Sequence, residues 1–226
     1  RNIDLLSAES NQYDVITLSE TWLFNETVDN LTKLQLPNFH PPVQLDRDDG
    51  YGGVAIYVKS NLVCKPRPDL LVDGLEAVWV ETKVNRQSLL IGSIYRSPDR
   101  PVSYWDLLSE GLRKVNNTGL KFMFLGDINT DWLNLPSKHY LDILQVFQLH
   151  QLVTAPTRIT STSSTCVDHI VVQSRQLIKL VDVSPPFCSD HSVPFAVIHS
   201  HQSTRHSFKR QIFNYNKLDK EKFYNM

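Results

Sequence analysis

Four carboxylates, Glu20, Asp127, Asp168 and Asp190, stand at the edges of short apolar runs, and one imidazole, His191, follows the last of them directly. Other groups suited to phosphate chemistry lie in similar places: Tyr95 and Arg96 in Ser93-Ile94-Tyr95-Arg96, and Asn129 in Gly126-Asp127-Ile128-Asn129. Any one of these acids is also an ordinary turn or cap residue, because Asp is common in turns. Gathered in one place they demand more. Several buried carboxylates are costly unless a cation or a proton neutralises them. An oxygen-rich donor set suits a hard divalent cation, so Mg²⁺ is the expected partner and Mn²⁺ its substitute.

His191 would then serve as an imidazolium or a hydrogen-bond donor to a phosphoryl oxygen, oriented by a carboxylate. His169 also sits beside an acid, Asp168. Strand alternation sends neighbours to opposite faces, so only one of that pair can point inward, and Asp168 is assigned. Tyr95 offers a phenol for a phosphate oxygen, or it caps the core. Asn129 shares the face of Asp127 if the strand geometry persists. Trp22 reads as core or cleft wall, with base stacking as the second reading. The sequence contains no Walker-type phosphate loop, no HExxH and no GxSxG, which removes nucleotide-driven motors, zincins and serine hydrolases as first choices.

The elements that must position these groups can be read from periodicity. Residues 3–11 read as a short amphipathic helix, and Val15–Leu18 as a buried strand delivering Glu20 at its carboxyl end, a usual place for function in α/β sheets. The polar, proline-containing stretch 24–49 reads as one long loop. Val54–Val58, Glu76–Val84 and Ser88–Tyr95 read as strands, the last two joined by an Asn85-Arg86 tight turn. Trp105, Leu108, Leu112 and Val115 have helical spacing, and Ser103 with Asp106 resembles a capping box. Lys121–Leu125 reads as a strand, a second helix opens at Pro136-Ser137, and strands follow over Thr165–Val172 and Val193–Ile198. The order is neither strictly βαβ nor all-β. Two sheets packed face to face with helices outside accommodate it, since each layer must bury one face.

Bulk composition sets the class. With 226 residues, 41% of them hydrophobic and 21% charged, the chain can bury a core without covalent staples. No apolar run approaches the roughly 20 residues of a membrane span, so no membrane partner is expected. Cys64, Cys166 and Cys188 have no zinc spacing, and free thiols in a reducing compartment are the default. The formal charge of −1 gives no global signature for nucleic acid. The segment from His199 onward is locally basic, with Arg205, Lys209, Arg210, Lys217, Lys220 and Lys222 against Asp219 and Glu221. A near-neutral body with clustered acids fits a cation site better than a broad phosphate-binding face.

Six motifs in order, SETWL, GGVAIYV, SIYRSP, GDIN, VDHI and SDHS, resemble the endonuclease/exonuclease/phosphatase superfamily. The wording is most similar to the endonuclease domain of LINE-type non-LTR retrotransposons. The resemblance implies a four-layer α/β sandwich of two mixed β-sheets over residues 1–198, and Mg²⁺-dependent phosphodiester hydrolysis, with DNA as substrate. Residue by residue, it implies Glu20 and Asp190 as metal ligands, and Tyr95, with Arg96, as phosphate-binding groups. It implies Asp127 as the group that orients or deprotonates the attacking water and Asn129 as a holder of phosphate and nucleophile. Asp168 is implied to orient His191, which contacts the scissile phosphate. Thr157, in PTRI, matches a threonine that borders the DNA cleft. Members begin with an apolar strand ending in an Asn of the metal site, and the chain opens just after it, so that strand is expected to be missing. Residues 199–226 are expected to be a basic linker toward a downstream reverse transcriptase, and nuclear action follows from the same resemblance. The alternatives are a phosphoesterase of the superfamily acting on abasic DNA, RNA or phosphoinositides, and a truncated, non-catalytic remnant.

Overall fold

Residues 3–23, 34–47 and 50–200 are described by the structure, a computed structural model. In chain order the elements are α1 (Ile3–Ser10), β1 (Val15–Ser19), β2 (Val43–Leu45), β3 (Val54–Val58), β4 (Lys65–Pro66), β5 (Ala77–Val84), β6 (Gln87–Ile94), α2 (Tyr104–Asn116), β7 (Lys121–Asp127), α3 (Lys138–Val146), β8 (His150–Gln151), β9 (Arg158–Ile159), β10 (Ser164–Thr165), β11 (Asp168–Val172), β12 (Ile178–Ser184) and β13 (Val193–Ile198).

The central layer is a six-stranded mixed sheet in the order β4-β5-β6-β7-β11-β8. Its β6–β7 pair is parallel, with α2 as the crossover, and the other pairs are antiparallel. Both faces are apolar, and side-chain alternation divides them between two cores. Trp79, Leu90, Phe122, Phe124 and Val171 turn to one side and pack on Leu108, Leu112, Tyr140 and Leu144 of α2 and α3. Val78, Val80, Leu89, Ile91, Met123 and Ile170 turn to the other and meet Val54, Ile56 and Val58 of β3. Fully burying each such side chain stabilises by about 1.5–3 kcal/mol.

β3 is itself the middle of a second sheet, β1-β3-β2. The alternate β3 residues, Ala55 and Tyr57, face outward onto Leu6 of α1 and onto Phe39. The layers therefore run helix, sheet, sheet, helices: the four-layer sandwich expected from the motif order. A β12–β13 hairpin lays Val181, Val183, Ala196 and Ile198 against the inter-sheet core.

Several local expectations change. Residues 24–49, expected to be one long loop, contain β2, paired with β3; residues 24–33 and 48–49 lie outside the described residues. β12 was not legible, because Lys179 and Asp182 interrupt its apolar alternation. The strand expected from Thr165 begins at Asp168, after a break that turns Thr165 into the short β10 hairpin. Ser103 precedes α2 in helical backbone geometry and makes no side-chain cap bond, so the capping box is not formed. The Asn85-Arg86 turn does form, with both residues at positive φ, 52° and 67°, as a type I′ hairpin requires. The tail beyond Ser200 lies outside the described residues.

Candidate active site

Strand register brings the first two acids together. β7 and β11 pair so that Asp127 lies directly opposite Asp168. Cross-strand partners share a face, and like charges in that position repel. Asp127 is only 5% exposed, and burial, reinforced by Asp168, pushes its carboxyl up to about 7. The pair is completed by His191, whose Nδ1 lies 2.8 Å from Asp168 Oδ2. That hydrogen bond, opposed by partial burial, raises the imidazole above its ordinary value. With Nδ1 turned to Asp168, Nε2 is the ring nitrogen presented to a substrate. One ligand atom from each of Asp127, Asp168 and His191 falls within 4.8 Å of the others.

Gly126 makes this register possible. At φ 148°, an added Cβ there would sit 1.8 Å from the Ile94 carbonyl oxygen. The strand end is further held by Ser19 Oγ, which accepts the Asp127 N–H at 3.2 Å. After it the chain turns through Asn129 at φ 47°, whose N–H donates to Asp127 Oδ1 at 2.8 Å. The Asn129 side-chain amide donates to the Arg96 carbonyl at 2.8 Å, and the Arg96 N–H donates to the Asp127 carbonyl at 2.9 Å. The GDIN and YRSP motifs are thus laced together by backbone and amide bonds.

Glu20 enters from the end of β1 and is exposed. The Tyr95 hydroxyl donates to its Oε1 at 2.7 Å, and Trp22 Nε1 donates to Oε2 at 3.3 Å. The charge of Glu20 contributes to raising Asp127, so these acids share one electrostatic neighbourhood. Glu20 and Trp22 both adopt positive φ, 54° and 52°. Gly53, whose Cβ would meet Thr21 Oγ1 at 2.5 Å, permits the close approach that lets the Thr21 and Trp22 N–H groups bond Gly53 and Gly52.

Three of the expected groups are placed otherwise. Asp190 turns outward, with 68% of its side chain exposed, and Arg158 Nη2 holds its Oδ2 at 3.1 Å. It still acts on His191 electrostatically. Thr157, expected at the cleft border, is fully buried. Its Oγ1 accepts the N–H groups of Val167 and Asp168, both at 3.1 Å, and its carbonyl accepts the Ser192 N–H at 2.7 Å. It therefore braces the Asp168 and His191 segments against each other from below. Arg96 lies over the Trp105 ring, 4.9 Å from the centroid, and its Nη2 donates to the Arg100 carbonyl at 3.1 Å. These contacts tie the loop rather than leave the guanidinium facing outward.

Sequence reasoning missed Glu76. Its buried carboxylate accepts from Arg47, Arg100 and the Gly53 N–H at 3.3, 2.9 and 2.9 Å, clamping the glycine turn to the loop after Tyr95. The available signal was a lone acid opening the alternating run EAVWVETKV. Arg158, the partner of Asp190, was also missed, and nothing in its local sequence distinguishes it.

His169 takes the opposite path to Asp168, as alternation requires. It is fully buried against Tyr140, whose hydroxyl lies 3.0 Å from Nδ1, and Nε2 lies 3.2 Å from the Cys166 carbonyl. Burial holds it down to about 4, from an ordinary 6.5. The folded state therefore resists a proton that the unfolded chain accepts first. This contribution to stability is full above the unfolded value and falls by up to about 3 kcal/mol as pH drops from 6.5 toward 4. The His191–Asp168 pair runs with the opposite sign, being complete at low pH and lost as pH rises through the raised value of His191. Urea unfolding at several pH values should show the acid-side loss in the parent protein and its removal in His169→Phe. An unchanged slope in the variant would contradict the assignment.

A sequence profile of the Endonuclease/Exonuclease/phosphatase family matches residues 2–191. No curated protein matches the sequence. Among solved structures, the endonuclease domain of TRAS1, a telomere-specific non-LTR retrotransposon, superposes with a TM-score of 0.67 at 19% identity, covering 87% of this chain and 90% of that one. The catalytic domain of Xenopus laevis APE2 gives 0.62 at 17% identity, covering 87% and 88%. The 3′ phosphatase NExo from Neisseria, solved with a product DNA hairpin, gives 0.62 at 20% identity, covering 88% and 93%. At these identities the likeness carries the fold.

Proposed function

The chain belongs to the endonuclease/exonuclease/phosphatase family, and from that premise we propose that it is a divalent-cation-dependent phosphodiesterase that nicks DNA. The observation that carries the reading is the buried Asp127 set opposite Asp168 and closed by His191. Two facing carboxylates in a protected strand end need positive charge nearby, and a phosphodiester is a substrate that a cation can bring there.

The acidic set fits a hard cation. Glu20 would hold it, with Asp190 joining once Arg158 releases that carboxylate, and Mg²⁺ or Mn²⁺ suits the oxygen donors. When bound, the cation supplies charge neutralisation at the phosphate and the leaving oxygen. The chain's own groups do the rest. Asp127 Oδ1 is held by the Asn129 N–H, which leaves Oδ2 to orient the attacking water and accept its proton. His191, aligned by Asp168, donates from Nε2 to a non-bridging oxygen as charge develops there. The Tyr95 hydroxyl donates to Glu20 Oε1 and feels the charge of Asp127, which would set it beside the phosphate that the cation holds. The water oxygen bonds to phosphorus as its proton passes to Asp127, the bridging P–O bond breaks, and the leaving oxygen takes a proton from solvent water, so the products are a phosphomonoester and a hydroxyl.

A retrotransposon role, with a reverse transcriptase downstream and nuclear action, is the finer part of the proposal, supported by the motif wording and by the likeness to the TRAS1 domain. Conversion of supercoiled plasmid to open circles should require Mg²⁺, stop in EDTA and resume with Mn²⁺. Relaxation that persists in EDTA would reject the cation-dependent mechanism. Cleavage confined to an abasic oligonucleotide, with intact plasmid untouched, would move the substrate to damaged DNA.

A further inference from the structure

Beside this site stands an exposed aromatic corner that the hydrolytic chemistry leaves unused. Trp22 and Tyr51 are 60% and 65% exposed, and their rings meet edge to face with centroids 5.9 Å apart. A contiguous exposed apolar patch rimmed by polar groups marks an interaction site, whereas a single exposed ring would not. The corner is built rather than accidental. The Trp22 N–H donates to the Gly52 carbonyl at 2.9 Å, which pins the tryptophan beside the 50–53 turn that carries Tyr51. Trp22 Nε1 donates to Glu20 Oε2, and Glu20 Oε1 accepts the Tyr95 hydroxyl, so the indole is one hydrogen bond away from the proposed phosphate pocket.

We propose that Trp22 and Tyr51 form a nucleobase subsite, which takes an unstacked base adjoining the scissile phosphate. A planar base is the partner whose size, apolar faces and covalent link to a phosphate match such a corner. A T-shaped pair offers one ring face for stacking and the edge of the other as a wall. Stacking of this kind is tolerant of sequence, because every base has a π-face. The subsite thus separates nucleic acid from phosphodiesters that carry no base. It rests on the phosphodiesterase reading of the neighbouring acids.

Trp22 also provides its own probe, since Trp79 and Trp105 are buried and Trp132 is partly buried. The protein carrying Asp127→Asn, which slows cutting, is titrated in Mg²⁺ with short oligothymidylate and with an abasic strand of the same length. Oligothymidylate should quench the exposed emission and the abasic strand should not. Trp22→Ala and Tyr51→Ala should each weaken oligothymidylate binding about tenfold relative to the abasic strand. Trp22→Phe, which keeps a ring but loses the bond to Glu20, should retain most of the preference. With Asp127 intact, the alanine variants in Mg²⁺ should raise KM for a nicked oligonucleotide more than they lower kcat. The proposal is overturned if both strands bind alike and the alanine variants keep the parent's ratio, or if Trp22→Phe behaves as Trp22→Ala. If neither strand binds, the phosphodiesterase reading itself fails, and the subsite with it.

Discussion

The Asp127→Asn protein is expected to nick DNA at least about 10³-fold more slowly than its parent, while its metal-free unfolding temperature above pH 7 stays equal or rises. The two halves of this result have one cause. Asn is nearly the same shape, so its carbonyl can still accept the Asn129 N–H that Asp127 Oδ1 accepts at 2.8 Å. What disappears is the proton acceptor and the negative charge facing Asp168. Because burial and Asp168 lift the Asp127 carboxyl to about 7, its ionised form costs the folded state stability as pH rises from the ordinary 3.8 through that value. The amide removes that cost. Single-turnover nicking of supercoiled plasmid at saturating Mg²⁺, paired with thermal unfolding in EDTA, measures both. His191→Ala should lose about 10²–10⁴-fold in the same assay, the range for a positioned acid–base group. Activity within tenfold of the parent in both variants would end the assignment of this cluster as the catalytic centre.

Gly126→Ala is expected to be the most damaging small substitution in the described fold, costing at least about 4 kcal/mol. The new methyl would lie 1.8 Å from the Ile94 carbonyl oxygen and 2.9 Å from its carbonyl carbon. Both are backbone atoms of the neighbouring parallel strand, so no side chain can rotate out of the way. At φ 148° an L side chain is strained in any case. Relief requires β6 and β7 to part just where Ser93 pairs with Leu125, in the middle of the inter-sheet and helix-facing cores. Loss of soluble expression, or a urea midpoint far below that of the parent, is the predicted readout. A variant as stable as the parent would mean that the strand end moves freely, against the packing described above. Gly119→Ala is the matched control, since its Cβ would meet nothing within 4 Å among the described residues, although its φ of 69° still carries a small backbone cost.

Much of the fold was legible because its determinants are local. Runs such as VAIYV, EAVWVETKV and SLLIGSIY announce strands by branching and alternation, and the tight turn between the last two announces its hairpin through Asn85, a residue tolerant of positive φ. The helix-facing stripe of Trp105, Leu108, Leu112 and Val115 needs only its 3.6-residue spacing, and all four are buried. β12 and β2 escaped because their pairing partners supply the order that their own residues lack. The Ser103 cap failed for a related reason: the chain enters α2 already in helical geometry, so the hydroxyl is not positioned to close the first turn.

For the site, the sequence by itself determined which residue types were on offer and at which strand ends, since motif chemistry and alternation are properties of a few consecutive positions. It separated Asp168 from His169, and the two do diverge, one toward His191 and the other into the core. Only the tertiary structure decided which of the acids meet. The β7–β11 register sets Asp127 against Asp168, Arg158 draws Asp190 outward, Thr157 is buried as a brace, and Glu76 becomes the clamp beneath the Gly52-Gly53 turn. Each of those outcomes is a contact between residues far apart in the chain. Its free energy depends on burial and on the register of distant strands, quantities that no local stretch of sequence contains.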